Sequence, residues 1–200
     1  HQFATALFFD AVSGHGMGAG TWWAEDVIHN GGRDAMRVLA LLALLLLLAG
    51  WRNTAARRWR RPAGYFFASL VASSLLVGAL KQSTNVDCPW DLQGFGGAQP
   101  VVTLFEDRPD ALPRAACFPG AHSSSGFALM CLYFLFLHRG RRAALMGLLT
   151  GISVGALFAF GQQARGAHFL SHDLCSALIA WFTCLALYVW AFRCRVAPTR

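Results

Sequence analysis

Two histidines, an arginine and an aspartate lie close together in the stretch QQARGAHFLSHDL, residues 162–174. Arg165 offers a planar fork of N–H donors that matches phosphate or carboxylate geometry. His168 and His172 are four residues apart, and they share one face if this stretch is helical. Asp173 can orient a histidine ring by accepting a hydrogen bond from its N–H, as catalytic carboxylates do. Apolar stretches flank the cluster, and charged groups in such surroundings are costly and usually functional.

A second group of polar residues stands in CFPGAHSSSGFALM, where His122 follows a Pro-Gly turn. An apolar run comes next, so a helix is expected to begin here, with one of the serines at 123–125 as its cap. Backbone N–H groups at the start of a helix bind anions. Gly120, Ala121 and Ser123 are therefore candidates for holding a phosphate, and the alternative is a simple helix cap beside an incidental histidine.

A third polar stretch, LKQSTNVDCPWDL, contains Lys81, the one lysine in the chain. A lysine at a membrane surface often only extends its ammonium group toward the headgroups. The alternative is that Lys81 supplies a cation for an anionic substrate.

The elements that carry these clusters are apolar and long. The chain has 200 residues, of which 56% are hydrophobic and 14% charged, well below the ~25% charged residues of a typical soluble domain. Five stretches approach the ~20 residues that cross a bilayer: 34–51, 63–80, 121–137, 143–160 and 174–192. The predicted fold is an all-α, polytopic integral membrane helix bundle.

The arginines predict the orientation of the bundle. Eleven of the 17 basic residues follow the first, third or fifth predicted span, and such clusters remain in the cytoplasm. They are Arg52, Arg57, Arg58, Arg60, Arg61, Arg139, Arg141, Arg142, Arg193, Arg195 and Arg200. All three polar clusters then lie on the opposite side. The net charge of +7 is thus explained by topology, and we expect no nucleic-acid partner.

This orientation places residues 1–33 outside the cytoplasm, as a periplasmic or interfacial segment before a membrane domain at 34–200. We therefore expect a sixth span upstream of His1. Residues 82–119 form one long outer loop, and its two cysteines, Cys88 and Cys117, are expected to form a disulfide because that side is oxidising.

Brought to one membrane face, these groups suit phosphate chemistry. One histidine can attack phosphorus while the other protonates the leaving oxygen. Cations and backbone amides then stabilise the negative charge on the phosphoryl oxygens.

At these residues the sequence resembles the type 2 phosphatidic acid phosphatase superfamily, whose motifs are K-x6-R-P, P-S-G-H and S-R-x5-H-x3-D. The corresponding segments are Lys81-x6-Cys88-Pro89, then PGAH at 119–122, then GQQARGAHFLSHD. The resemblance extends over residues 63–192. Cys88 and Gln162 stand where the motifs have arginine, and His172 stands where the third motif has aspartate. Asp173 follows one position later.

The resemblance implies that His168 is a nucleophile forming a phosphohistidine and that His122 is the general acid. It also implies that no metal or other cofactor is needed. The phosphate group would be bound by Lys81, Arg165, Gly120, Ala121, Ser123 and Gln162. Either Asp173 or His172 would orient His168.

We therefore predict a phosphatase of lipid phosphates or pyrophosphates in a bacterial inner membrane, with its site facing the periplasm. Its expected partners are the lipid substrate and the bilayer, while the oligomeric state is left open. A lipid phosphotransferase, a non-catalytic phospholipid-binding protein and a metal-dependent hydrolase using His168 and His172 are the alternatives.

Overall fold

The structure, a computed structural model, describes residues 7–10, 14–104 and 106–193. Helices dominate, as predicted, and the strands among the described residues are the short hairpin pair β1 (Phe9–Asp10) and β2 (His15–Gly16). The all-α prediction is therefore confirmed.

The first helical stretch begins earlier than the predicted span. A π-helical segment at Trp23–Gly31 continues directly into α1 (Gly32–Arg52). The sequence suggested an interfacial segment ending at residue 33, because Trp22 and Trp23 are typical of headgroup regions. In the structure the chain passes through residue 33 inside one continuous helix, so His29 belongs to the same helix as the first span, and the interfacial position of residues 1–33 stays a prediction.

Five further α-helices follow, joined by short 3₁₀ turns and loops. They are α2 (Arg60–Thr84), α3 (Ala121–Phe127), α4 (Cys131–Phe136), α5 (Arg141–Ala164) and α6 (Leu170–Tyr188). The 3₁₀ turns lie at Arg57–Trp59, Pro89–Asp91, Ala128–Met130 and Leu137–Arg139, and a last π-helical turn at Val189–Arg193.

Among the described residues, four helical stretches are long and apolar enough to cross a membrane. They are Trp23–Arg52, Arg57–Asp91, Arg141–Ala164 and Leu170–Arg193. The predicted span at 121–137 is not one of these. It is built from α3, α4 and two 3₁₀ turns. The count of five spans and the sixth span upstream of His1 therefore stay predictions.

Large apolar side chains cover the outside of these helices. Leu41, Leu48, Leu75, Leu178 and Phe182 are each more than half exposed. In water such a surface would be unusual, whereas lipid tails solvate it well. The core is small by comparison, with Met36, Leu70, Ala128, Leu129 and Phe158 as one of its buried clusters.

A stripe of glycines on α5 brings two helices unusually close. Gly147, Gly151 and Gly155 are four residues apart and face the α3–α4 segment. A Cβ atom at Gly155 would lie 2.2 Å from Phe127 Cδ1, and one at Gly151 would lie 2.3 Å from the Met130 nitrogen. Small residues at this spacing allow backbones to approach in a membrane. The contact fixes the position of α3, whose first turn carries His122.

The loop between α2 and α3 is tied down by covalent and polar links. Cys88 and Cys117 form the expected disulfide, with an S–S distance of 1.98 Å. Arg108 makes a two-pronged, buried ion pair with Asp87, at 2.5 and 2.8 Å. Hydrogen bonding to Asp87 raises the pKa of Arg108. The loop therefore has a defined shape over the site.

Candidate active site

His168 and Asp173 form the central pair of the site. Nδ1 of His168 lies 2.8 Å from Oδ1 of Asp173, and both side chains are buried. A carboxylate accepts here, so Nδ1 carries the proton and Nε2 keeps a lone pair. Among the described residues no hydrogen bond engages Nε2 of His168, so this atom can act as a nucleophile.

The late start of α6 explains why Asp173 is the partner. His168 precedes the helix, which begins at Leu170 after an extended residue, Phe169. The condition under which His168 and His172 would share one helical face is therefore not met, because His168 lies before the helix. The chain changes direction at the start of the helix, and this brings the side chain of Asp173, five residues later, toward His168.

Gln163 completes this arrangement, and the sequence reasoning did not single it out. Its Nε2 donates to Oδ2 of Asp173 at 2.8 Å. Each oxygen of the Asp173 carboxylate thus has its own donor, which holds the carboxylate in the plane that His168 requires.

His172 lies beside the pair and forms no hydrogen bond with His168 among the described residues. The two histidine ring centroids are 5.9 Å apart, and His172 packs edge-on against Phe118 and Phe169. Its backbone carbonyl accepts from the Gly120 amide at 3.1 Å. Lys81, half-buried near the end of α2, lies within electrostatic range of the His172 ring.

Gly120 supports His168 through its backbone. A Cβ atom there would lie 2.7 Å from Cε1 of His168 and 2.8 Å from its Nδ1, so glycine lets the ring lie against the chain. Ser176 donates to the Gly120 carbonyl at 2.8 Å. Because the Gly120 amide already bonds to His172, the prediction that this amide binds phosphate is corrected to a structural role.

The serines after His122 do not cap α3, contrary to expectation. The helix begins at Ala121 with Gly120 as its N-cap, so the serines lie inside the first turns. Their hydroxyls donate backward by three residues, as Ser123 does to the Gly120 carbonyl at 3.2 Å. The first bond of the turn runs from the Ser124 amide to the Gly120 carbonyl, 3.3 Å. The amides of residues 121–123 precede it and remain outside the helical ladder.

His122 is held by the first helical stretch of the chain. Its Nε2 lies 3.2 Å from the carbonyl oxygen of Ile28, and its ring stacks on Phe158 at a centroid distance of 4.5 Å. Because a carbonyl only accepts, Nε2 of His122 carries a hydrogen and Nδ1 is the atom that can exchange a proton.

Arg165 stands at the end of α5 and begins a chain of hydrogen bonds. Its Nη1 donates to Oε1 of Gln162 at 2.9 Å, and Nε2 of Gln162 lies 2.6 Å from Nδ1 of His29. Its Nε is buried without a hydrogen bond among the described residues and lies 3.7 Å from Oε1 of Glu25. The guanidinium lies 5.9 Å from the ring centre of Trp90.

Two arginines of the long outer loop have partners away from this site. Arg108 is paired with Asp87, and Arg114 donates to the carbonyl of Gln82. Within the described ranges, no three His, Cys, Asp or Glu side chains are grouped closely enough to hold a metal ion. The site is therefore built from histidines, one buried carboxylate and the Arg165 cation, with Lys81 near His172.

Glu25 and Gln163 entered the site without a prediction, and His29 was expected only as part of the interfacial segment at residues 1–33, whereas its ring lies beside Gln162 and His122. Gln163 is the neighbour of the predicted Gln162, but the sequence did not indicate that its side chain points toward Asp173. For His29 and Glu25 the sequence contains no comparable pattern, because their approach depends on how the first helix packs against α5.

Comparison with known proteins identifies one family. No curated protein and no solved structure matches the chain. A family model described as the PAP2 superfamily matches residues 62–195, which is more than half of the chain. The matched stretch contains His122, Arg165, His168 and Asp173, while His29 and Glu25 lie before it. In the structure, this stretch holds a buried histidine and carboxylate pair beside a second histidine, within a bundle of apolar helices. The chain belongs to the PAP2 superfamily, whose members are phosphatases.

Proposed function

We propose that this protein hydrolyses a lipid phosphate or pyrophosphate through a phosphohistidine formed on His168. The observation that carries the proposal is the 2.8 Å contact between His168 Nδ1 and Asp173 Oδ1. It keeps the proton on Nδ1, leaves the lone pair on Nε2, and stabilises the positive ring that forms when Nε2 is phosphorylated.

In the first step, Nε2 of His168 attacks phosphorus and the bond from phosphorus to the leaving oxygen breaks. Protonated His122 gives its Nδ1 proton to that oxygen, which leaves as an alcohol or a phosphate. In the second step, neutral His122 takes a proton from water while the water oxygen attacks phosphorus. The phosphorus–nitrogen bond breaks, inorganic phosphate leaves, and both histidines return to their starting states.

Several groups around this centre suit the phosphate oxygens. Arg165 has a buried Nε without a hydrogen bond among the described residues, and the amides of residues 121–123 lie outside the helical ladder. Lys81 adds a positive charge on the His172 side. Together they supply the electrostatic stabilisation on which phosphoryl transfer depends.

A lipid substrate is supported by the surroundings of the site. A groove of about 310 Å³ lies between α1 and α2 and is lined by apolar residues such as Met36, Leu70 and Leu75. Arg33 and Ser125 line the same groove, and Ser125 follows His122 by three residues. An acyl or prenyl chain in this groove would place its phosphate near α3. The eleven arginines counted above favour a periplasmic site in a bacterial inner membrane.

The test is phosphate release by the purified protein in detergent, from a panel of phosphatidic acid, phosphatidylglycerophosphate and polyprenyl pyrophosphate. Rapid acid-free quenching with a ³²P-labelled substrate should trap label on the protein, and His168→Ala should remove both label and turnover. Release by His168→Ala at the parent rate would end the proposal. Adding a second lipid as acceptor separates hydrolysis from transfer, because a transferase would release no inorganic phosphate.

A further inference from the structure

His29 reaches the candidate active site from a part of the chain that the family match does not include. It belongs to the π-helical segment Trp23–Gly31, ahead of the matched residues 62–195. Its ring centroid lies 4.6 Å from that of His122. It is also within electrostatic range of Arg165 and His168. Three histidines from separate elements thus surround one location.

The N-terminal segment is fitted closely against α5. A Cβ atom at Gly161 would lie 2.6 Å from Cγ2 of Ile28, so this glycine makes room for the segment. The Gly18 amide donates to the Ala164 carbonyl at 2.8 Å. π-Helical turns are rare and occur frequently at functional sites. Here adjacent residues both serve the site, since Ile28 presents its carbonyl to His122 and His29 presents its ring to Gln162.

The hydrogen bonds around Gln162 define the tautomer of His29. Arg165 is a pure donor, so the Gln162 atom that it contacts is the carbonyl oxygen, Oε1. The other end of that amide is therefore Nε2, which donates to Nδ1 of His29 at 2.6 Å. Nδ1 then carries the lone pair, and Nε2 of His29 carries the hydrogen.

The Nε2–H of His29 has no protein acceptor within the part of the chain that the structure describes. Its neighbours Arg165 and His122 are donors themselves. Glu25, the nearby carboxylate, accepts from the Gly20 amide at 3.1 Å through Oε1, the same oxygen that lies 3.7 Å from Arg165 Nε, and among the described residues it forms no hydrogen bond with His29. A cluster of donors of this kind is complementary to an anion with several acceptor oxygens.

We propose that His29 is a substrate-binding residue whose Nε2–H donates to a non-bridging oxygen of the phosphate group, in a position set by Gln162 and Arg165. This inference rests on the proposed phosphatase function. It assigns part of the phosphate binding to the N-terminal helix. Gln162, which positions His29, stands where the third family motif has an arginine.

The test compares variants that keep or remove an N–H donor at the position of His29 Nε2. His29→Gln places an amide N–H near the position of Nε2, while His29→Asn and His29→Leu remove it. His15→Gln, an exposed histidine of the same N-terminal region, is the matched control. The inhibition constant for orthovanadate and the KM and kcat for a cleaved lipid phosphate are measured on the full chain in detergent.

We expect His29→Asn and His29→Leu to raise KM and the vanadate inhibition constant by about tenfold or more, the usual effect of losing a hydrogen bond to a charged group. His29→Gln should recover most of this loss, and His15→Gln should behave like the parent. Unchanged vanadate inhibition in either donor-free variant would overturn the proposal, as would an equal loss in His29→Gln. Two donor-free variants are used so that one still decides if the other does not fold. Activity that survives in His168→Ala would instead refute the proposed function itself.

Discussion

Asp173 accepts a hydrogen bond from His168 across the start of α6, at 2.8 Å, although the family spacing places an aspartate one residue earlier. The residue at that earlier position, His172, faces Phe118 and Phe169 instead. The extra residue is accommodated because His168 lies before the helix, where side-chain direction is not tied to a 100° step per residue.

Asp173→Asn should therefore be far more damaging than His172→Asn. An amide cannot stabilise the positive ring of a phosphorylated His168, so we expect kcat to fall by about two orders of magnitude or more. His172→Asn should retain most of the activity. Steady-state kinetics on both variants, with thermal unfolding to verify folding, makes the comparison. The opposite ranking would transfer the orienting role to His172.

Gly120→Ala should remove activity through a purely steric effect on His168. The added methyl group would lie 2.7 Å from the His168 ring, so the ring has to move. Displacing a reacting group by ~1 Å can cost about 100-fold in rate. Gly78→Ala is the matched control, because no atom lies within 4 Å of a Cβ built there. Comparable kcat values for the two alanine variants would contradict this account.

His122→Ala should affect poor leaving groups more than good ones. General acid catalysis is typically worth ~10²–10⁴-fold, and we expect a loss of that order with a lipid alkoxide as leaving group. With p-nitrophenyl phosphate, whose leaving group needs little protonation, the loss should be much smaller. The ratio of kcat/KM for the two substrates measures the effect, and an equal loss on both would assign His122 to binding.

Chelation should leave the activity intact. In the mechanism proposed above, the phosphate oxygens are bound by Arg165, His29 and backbone amides, and the nucleophile is a side chain. Phosphate release should persist in EDTA and decrease with vanadate. Activity lost in EDTA and recovered with zinc would favour the metal-dependent alternative.

Breaking the disulfide should destabilise the loop over the site. Cys88 and Cys117 are separated by 29 residues, and closing a loop of this length contributes ~3–4 kcal/mol in the chain-entropy model. The double variant Cys88→Ser with Cys117→Ser should lower the Tm. Cys175→Ser, which changes a cysteine outside the disulfide, is the control. A Tm equal to that of the parent would show that the ion pair of Arg108 and Asp87 suffices to hold the loop.

The sequence predicted the helices and the central residues because both leave local patterns. Long apolar stretches reveal helices that cross a membrane, and His168, Asp173 and His122 stand in short motifs at their ends. The predicted serine caps were wrong because Gly120 is the N-cap of this helix. A glycine is needed at this position because the His168 ring, distant in sequence, packs against it. The sequence also did not predict that residues 121–139 form two short helices and two 3₁₀ turns in place of one continuous helix. The packing of this stretch depends on glycines of α5, about twenty residues further along the chain.

His29 shows the limit of such reasoning most clearly. Its neighbour Gln162 is 133 residues away along the chain, and no spacing rule connects them. Only the packing of the first helical stretch against α5, permitted by Gly161, brings them together.

The carbonyl of Ile28 has a practical consequence for anyone expressing or annotating related chains. A boundary drawn at residue 62, where the family match begins, would retain His122 and His168 yet discard the backbone group that holds His122. The truncated protein would display every motif residue and still be a poor catalyst. For this chain, we expect the functional unit to extend beyond the matched residues 62–195 and to include the first helical stretch.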